Sequence, residues 1–239
     1  MILVNNRDRR RYIEVPLHPY RDHALWVPPF RHEIRAQLDP QRHPFYEHSE
    51  AAFFLALEGE EVVGRLAVLE NTRYNAHHDR RTAFFYHFES VDDLAVAQGL
   101  FDNACEWAQS RGLDLILGPK GFMAGDGQGL LVDGYEHRPA MGIPYDYPYY
   151  GKLVEKSGFR KRLDFISWHM DRNLEFPEQY LDVAREVKER RGFRSLVFRA
   201  KSDLRALIPR VTSVYNASFK EVLGYVPITA AEAQAIGRR

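Results

Sequence analysis

The chain has 239 residues and a mass of 27.8 kDa, 45% hydrophobic and 28% charged. That is enough to bury a sizeable core as one large domain, or as one domain plus a fragment. Thirty-three Lys and Arg against 33 Asp and Glu give zero formal charge, which excludes a global basic field for nucleic acid or an anionic membrane. One cysteine, Cys105, excludes an intramolecular disulfide framework and a cysteine-based zinc cluster. No apolar run reaches the roughly 18 residues of a membrane span. At the N-terminus the basic residues Arg7, Arg9, Arg10 and Arg11 follow the apolar Met1–Val4, the reverse of a secretory signal. The expectation is a soluble cytoplasmic protein with neither nucleic acid nor membrane as partner.

Residues 12–48 are rich in Pro, His and aromatics, with short helices expected near 16–22 and 30–38. The run Arg7–Arg11 has no interleaved aromatic platform and reads as a solvated terminus. Ala51–Leu57 and Val62–Leu69 read as a hairpin around Gly59. Asn71–Arg81 is a polar connection carrying His77-His78-Asp79. Adjacent histidines point apart in an extended chain and no third ligand stands at a regular spacing, so this is not a metal motif. Thr82–Glu89 is an aromatic-rich strand. Ser90 is positioned to cap a helix over about 92–111, with Asp93 three residues on. Leu94, Ala97, Leu100, Phe101, Ala104 and Ala108 make its apolar face, and Gly112 its stop. Cys105 on that helix reads as an inert buried thiol.

Leu113–Leu117 is a short apolar strand. Strand, helix and strand within this span fit a crossover between parallel strands. Gly118–Gly129 holds five glycines but lacks the Gly-Lys-Ser/Thr of a phosphate-binding loop. Pro144–Tyr150 is a stiff run of tyrosines and prolines, suited to the wall of an apolar cleft. Pro148–Ser157 reads as a helix closed by Gly158, Phe159–Met170 as a strand, and Pro177–Arg191 as a helix closed by Gly192. Arg194–Arg199 reads as a strand. Ser202 is expected to cap a helix whose face carries Leu204, Leu207, Ile208, Val211, Tyr215 and Phe219, bent by Pro209. Tyr225-Val226-Pro227-Ile228 echoes Trp26-Val27-Pro28-Pro29, and each is followed by a helical stretch, the second from Thr229.

Val63-Gly64-Arg65-Leu66-Ala67, the strand–helix unit 82–111 and Val154-Glu155-Lys156-Ser157-Gly158-Phe159 together resemble the GNAT superfamily of acyl-CoA-dependent N-acyltransferases. The last segment is similar to that superfamily's Tyr-Glu-Lys-x-Gly-Phe ending. The resemblance covers about residues 50–170, with 12–48 as a first strand and helices. It implies an α/β fold of the α+β mixed-sheet kind: a twisted, mostly antiparallel sheet with a central parallel pair that splays, and flanking helices. It divides the chain into a GNAT-like domain over 1–175, a connecting helix over 176–192, and the start of a second unit or a packed tail over 193–239.

The resemblance also implies acyl-CoA or acetyl-CoA as co-substrate, no metal, and a small-molecule amine as acceptor. The pyrophosphate would lie at the turn after strand 82–89, on the backbone of Ser90 and Val91, with Gly118 and Lys120 of the glycine-rich loop beside the cleft. Two departures stand out. The turn Glu89-Ser90-Val91-Asp92-Asp93 has no glycine and carries three acids, which repel a phosphate. Val154 occupies the place of the tyrosine that protonates the leaving thiolate, and Tyr150, four residues earlier, is on the same helical face. Glu89 is the first candidate for the base and His87, two residues away on the same strand, the second. Tyr150 is the acid, and Tyr145, Tyr147 and Tyr149 line the acceptor side. Two functional readings follow: direct acyl transfer from acyl-CoA to an amine, or a non-catalytic GNAT-like binding or scaffold protein with a degenerate CoA site.

Overall fold

The computed structural model describes residues 1–17, 19–140, 142–168, 170–171, 173–193 and 196–237. Five strands form one sheet in sequence order: β1 (Ile2–Leu3), β2 (Glu50–Glu58), β3 (Glu61–Glu70), β4 (Thr82–Ser90) and β5 (Leu115–Leu117). The first three junctions are antiparallel and β4–β5 is parallel, with Thr82 opposite Leu115 and Phe84 opposite Leu117. The architecture is therefore the expected mixed α/β sheet with flanking helices. Gly59, at φ +58°, makes the β2–β3 turn.

Two helix layers cover the sheet. Helix α4 (Leu94–Ser110) is the crossover to β5, and its small residues Ala97, Ala104 and Ala108 let it lie close to Leu66, Val68, Phe85 and Phe88. Helix α5 (Tyr149–Lys156) adds Tyr150, Leu153 and Val154 to the same core. On the opposite face, α1 (Arg9–Glu14), α2 (Arg31–Gln37) and the ring of Phe122 pack over Phe53, Leu55, Ala67, Leu69 and Phe84.

Several local expectations are corrected. The first strand is β1, ahead of residue 12, and the first helix is α1 rather than 16–22, where Pro19 has no N–H to donate and His18 lies outside the described residues. Arg9, Arg10 and Arg11 open α1 and Arg7 precedes it; the run is solvated as expected but partly helical, over the inward Tyr12 and Ile13. The polar connection 71–81 contains α3 (Thr72–His78), started by Asn71, whose side chain accepts the Tyr74 N–H. Asp93, not Ser90, caps α4: its carboxylate accepts the Ala95 N–H at 2.7 Å, while the Ser90 hydroxyl turns to the Val91 carbonyl.

Residues 159–168 form no strand. β5 pairs with β4 alone, and no described strand meets its other edge; a strand needs that ladder as well as its own apolar residues. Phe165, Ile166 and Trp168 stand exposed, and His169 lies outside the described residues. Helix α6 (Glu178–Arg191) forms as expected and ends at Gly192, φ +60°. Arg194 and Ser195 lie outside the described residues, and 196–199 is not a strand. Helix α7 (Lys201–Ser218) runs through Pro209. Its start is held by Asp203, whose carboxylate accepts the Arg199 and Ala200 N–H groups, so Ser202 lies inside the helix instead of capping it.

Helix α8 (Ala230–Ile236) has a reciprocal cap between Thr229 and Glu232. It begins five positions after Tyr225, as α2 begins five positions after Trp26, and both helices have seven residues. Buried Glu232 pairs with Arg73 at 3.1 Å and His48 at 3.3 Å, which anchors this tail beside α3.

Candidate functional site

β3 and β4 fall out of step in the middle of their ladder. Arg65 pairs with Glu89 but Ala67 pairs with Tyr86, so β4 carries an extra residue there. The bulge places His87 at φ +51°, a conformation that a residue with a side chain rarely adopts. Its effect is to re-aim the strand. Phe88 enters the core under α4, while His87 and Glu89 turn to the other side beside Arg65.

The bulge coincides with a second event. β5 accompanies β4 only as far as Phe84, and the Phe85 carbonyl takes the Lys120 N–H. From Tyr86 to Ser90, β4 has no neighbouring strand on that side among the described residues. Gly118 is required at the parting, because a Cβ there would meet the Phe85 ring and carbonyl at 2.6 Å. Into the opening beyond it comes α5. The Tyr150 hydroxyl donates to Glu89 Oε2 at 2.8 Å, and its oxygen accepts the Ser90 N–H at 3.4 Å. The neighbouring Tyr149 hydroxyl donates to the Ser90 carbonyl at 3.0 Å.

Arg65 is 2% exposed and supplies the positive charge of the site. Its guanidinium donates to the Tyr12 carbonyl at 2.9 Å, lies over the Tyr12 ring, and reaches Glu89 Oε1 at 3.5 Å. Burial pushes the Glu89 carboxyl above its usual range, and Arg65 and the Tyr150 hydrogen bond hold back that rise. Burial, then Arg65, push His87 well below the ordinary imidazole value, so it is a neutral, weak base next to the Tyr12 hydroxyl. Of the two candidates Glu89 is therefore the better base. Tyr150 is 0% exposed and driven upward by burial and by Glu89, which keeps it a phenol.

The tyrosine run completes the wall. Trp26, Tyr20, Tyr147 and Tyr149 stack in one column, with centroids 4.9, 4.7 and 5.5 Å apart and planes within 9° of parallel. Tyr145 is tied back by its hydroxyl to the Tyr135 carbonyl, and Tyr147 to the Pro19 carbonyl, both at 2.7 Å. Asp146 Oδ2 accepts the Leu131 N–H at 3.0 Å. Burial pushes this carboxyl up to about 7, the Leu131 bond offsets part of the rise, and the charge of Glu89 adds to it.

The structure thus gathers Glu89, His87, Tyr150, Ser90, Tyr147 and Tyr149 around the end of β4, with Val91 following at the exposed turn. Lys120 is elsewhere: its ammonium donates to the Gly224 carbonyl at 2.9 Å and lies over the rings of Tyr74 and Phe84, near the start of β4. Sequence reasoning missed Arg65, Tyr12, Tyr20 and Asp146 as site residues. A lone arginine in the apolar run Val62–Leu69 was the available signal for the first, and a lone acid among tyrosines for the last. Tyr12 and Tyr20 had none. Among the described residues no group of three or more His, Cys, Asp or Glu side chains could hold a metal ion, and no helix is long and apolar enough to cross a membrane. His78 bonds the Tyr225 carbonyl, and burial raises the Cys105 thiol, consistent with inertness.

No family model matches the chain. It is 25% identical over 235 residues to the protein YghO of Escherichia coli (strain K12), covering 98% of this chain and 59% of that protein. It is 28% identical over 233 residues to a bacterial ceramide synthase of Caulobacter vibrioides (strain NA1000 / CB15N), covering 96% of this chain and 59% of that protein. The chain thus spans about six-tenths of the length of the curated relatives it matches. Among solved structures, a probable acetyltransferase is similar with a TM-score of 0.41 and 13% identity, over 73% of this chain and 98% of that one.

Proposed function

We propose that this chain is a GNAT-like acyltransferase that moves an acyl group from acyl-CoA to an amine in the cytoplasm, by direct attack on the thioester. One observation carries the reading. The Glu89–Tyr150 pair stands beyond the point where β4 leaves β5, so a base and a hydroxyl acid meet in that opening. The name of the Caulobacter relative, ceramide synthase, denotes formation of an N-acyl amine and agrees with nitrogen as the nucleophile.

The protons follow a closed path. Glu89 takes one from the acceptor ammonium, and the freed amine attacks the thioester carbon. The carbon–nitrogen bond forms and the carbon–sulfur bond breaks. Tyr150 protonates the departing thiolate and is itself reprotonated by Glu89 along their hydrogen bond. The amide nitrogen then sheds its remaining extra proton to Glu89 and on to solvent. Ser90 and Val91 offer backbone to the CoA moiety, and Tyr145, Tyr147 and Tyr149 wall the acceptor side.

The test is release of CoA thiol on mixing the chain with an acyl-CoA and a primary amine, with the amide identified by mass spectrometry. Release that needs both substrates supports the reading. No release with any acyl-CoA overturns it. In that case the second reading gains, a non-catalytic binding or scaffold protein. One specific observation favours it: the Asp93 carboxylate already occupies the start of α4, where a pyrophosphate would sit.

A further inference from the structure

The zero net charge of the chain excludes a global basic field, not a local one. Five cations stand within eleven positions: Lys152, Lys156, Arg160, Lys161 and Arg162, with Glu155 as the one acid among them. All five are exposed. Lys161 pairs with Asp164 at 3.0 Å, and the other four form no ion pair among the described residues.

The chain just beyond them presents large apolar side chains to water. Phe165 is 61% exposed, Ile166 75%, Trp168 88% and Met170 64%. An exposed apolar cluster rimmed by polar residues marks a contact surface. Its root is fixed. The Phe159 ring packs against the core, 5.3 Å from the Phe85 ring and 4.7 Å from that of Phe101. The segment therefore leaves the body at a defined place, past the end of α5 opposite to Tyr150.

Composition decides what covers this surface. The core of a protein–protein interface is depleted in charge, and Lys is rare there. Lys and Arg set beside Trp, Phe and Ile make the composition of a membrane interface. Rings and branched chains enter the headgroup boundary, and the cations meet lipid phosphates. No spanning helix is needed for such a contact. We propose that residues 152–170 dock the protein on the surface of an anionic lipid bilayer. Phe165, Ile166 and Trp168 are the inserted side chains, and Lys152, Lys156, Arg160 and Arg162 lie against the headgroups. The inference is independent of the proposed reaction, because neither Glu89 nor Tyr150 takes part in the contact.

The test is sedimentation of the 239-residue chain with two kinds of vesicle, phosphatidylcholine alone and phosphatidylcholine mixed with phosphatidylglycerol. Bromine-labelled acyl chains serve to quench inserted tryptophan. Wild type is expected to bind the anionic vesicles about ten-fold or more tightly than the neutral ones, less so at high salt, and to be quenched. Arg160→Gln, Lys161→Gln and Arg162→Gln together should weaken binding about 30-fold or more, at roughly five-fold per charge near such a surface. Phe165→Ser with Trp168→Ser should weaken it about ten-fold and remove most of the quenching. Every changed side chain is exposed, so both variants should melt as wild type does. Equal binding to both vesicles, quenching that survives the Trp168 change, or tight binding kept by both folded variants overturns the proposal. Absence of wild type from both vesicle pellets also overturns it. If wild type then forms a dimer that Phe165→Ser with Trp168→Ser dissolves, a second copy covers the face instead.

Discussion

The Tyr150 hydroxyl donates a 2.8 Å hydrogen bond to Glu89 Oε2, so the proposed acid and the proposed base form one bonded pair. Burial raises both groups; beyond that, the carboxylate raises the phenol further and the phenol's hydrogen bond holds back part of the carboxyl's rise. A proton taken by Glu89 therefore has a direct path to the phenol oxygen. Tyr150→Phe should lower kcat by about 100-fold or more while leaving the KM for amine within a few-fold. A kcat unchanged in a folded variant would remove Tyr150 from the chemistry.

Arg65 should control the pH profile. The proposed transfer requires ionised Glu89, so the rate should rise with pH through a midpoint above the ordinary carboxylate range. Arg65 opposes that elevation, so Arg65→Met should move the rising limb to higher pH. The same change leaves Glu89 without its cation and should destabilise the fold by about 3–5 kcal/mol. A limb that stays in place in the folded variant would mean that Arg65 does not act on the titrating group.

Asp146 should make stability depend on pH. Its folded pKa is raised from 3.8 to about 7, so the native state holds its proton more tightly than the unfolded chain. The contribution is fully present below about pH 4 and lost as pH rises through about 7. Asp146→Asn has no such loss. Its melting temperature relative to wild type should climb between pH 4 and 8, by the equivalent of at most about 4 kcal/mol. A constant difference across that range would contradict the elevation.

The start of α4 should be where CoA binding is limited. Asp92 and Asp93 put negative charge at the turn, and a like-charge contact at about 4 Å costs on the order of 1 kcal/mol in water. Asp92→Asn with Asp93→Gly should tighten CoA binding, most at low salt. Since Gly is itself a tolerated cap, the helix should lose roughly a few tenths of a kcal/mol. Weaker CoA binding in the double variant would show that the acids help rather than hinder.

How much of this could be read from sequence differs by element. The hairpin, the crossover helix α4 and the closing glycines of α4, α5 and α6 are local patterns, and they stand where periodicity and turn chemistry put them. Even the parallel β4–β5 pair follows from a helix too long for a hairpin. What failed was non-local. Phe159–Met170 has strand composition, but the ladder it needs is not supplied by any described strand. Ser90 and Asp93 are both good caps, and only the path of β4 decides between them. At the site, Glu89 and Tyr150 are 61 residues apart and meet because of the bulge at His87, which no residue pattern announces. Tyr20 joins them from 16–22, a segment that reads as a short helix but is a turn at Tyr20.

The tail depends on a buried carboxylate. Burial alone would raise Glu232, but hydrogen bonds from His48 and Thr229 and the charge of Arg73 outweigh it and lower the group. Its contribution is present at neutral pH and lost as pH falls through that low folded value. Glu232→Gln should loosen α8 by about 3 kcal/mol and expose α7 and α8 to limited proteolysis at neutral pH, with β2–β4 protected as before. Unchanged cleavage would mean the tail is held by its apolar contacts alone.

Glu89→Gln measures the central claim most directly. Gln keeps the shape and can still accept the Tyr150 hydroxyl, but it cannot take the ammonium proton. In the thiol-release assay, at saturating acyl-CoA and amine, kcat should fall by about 100-fold or more with CoA affinity retained. A folded Glu89→Gln protein that acylates the amine at the wild-type rate would contradict the account.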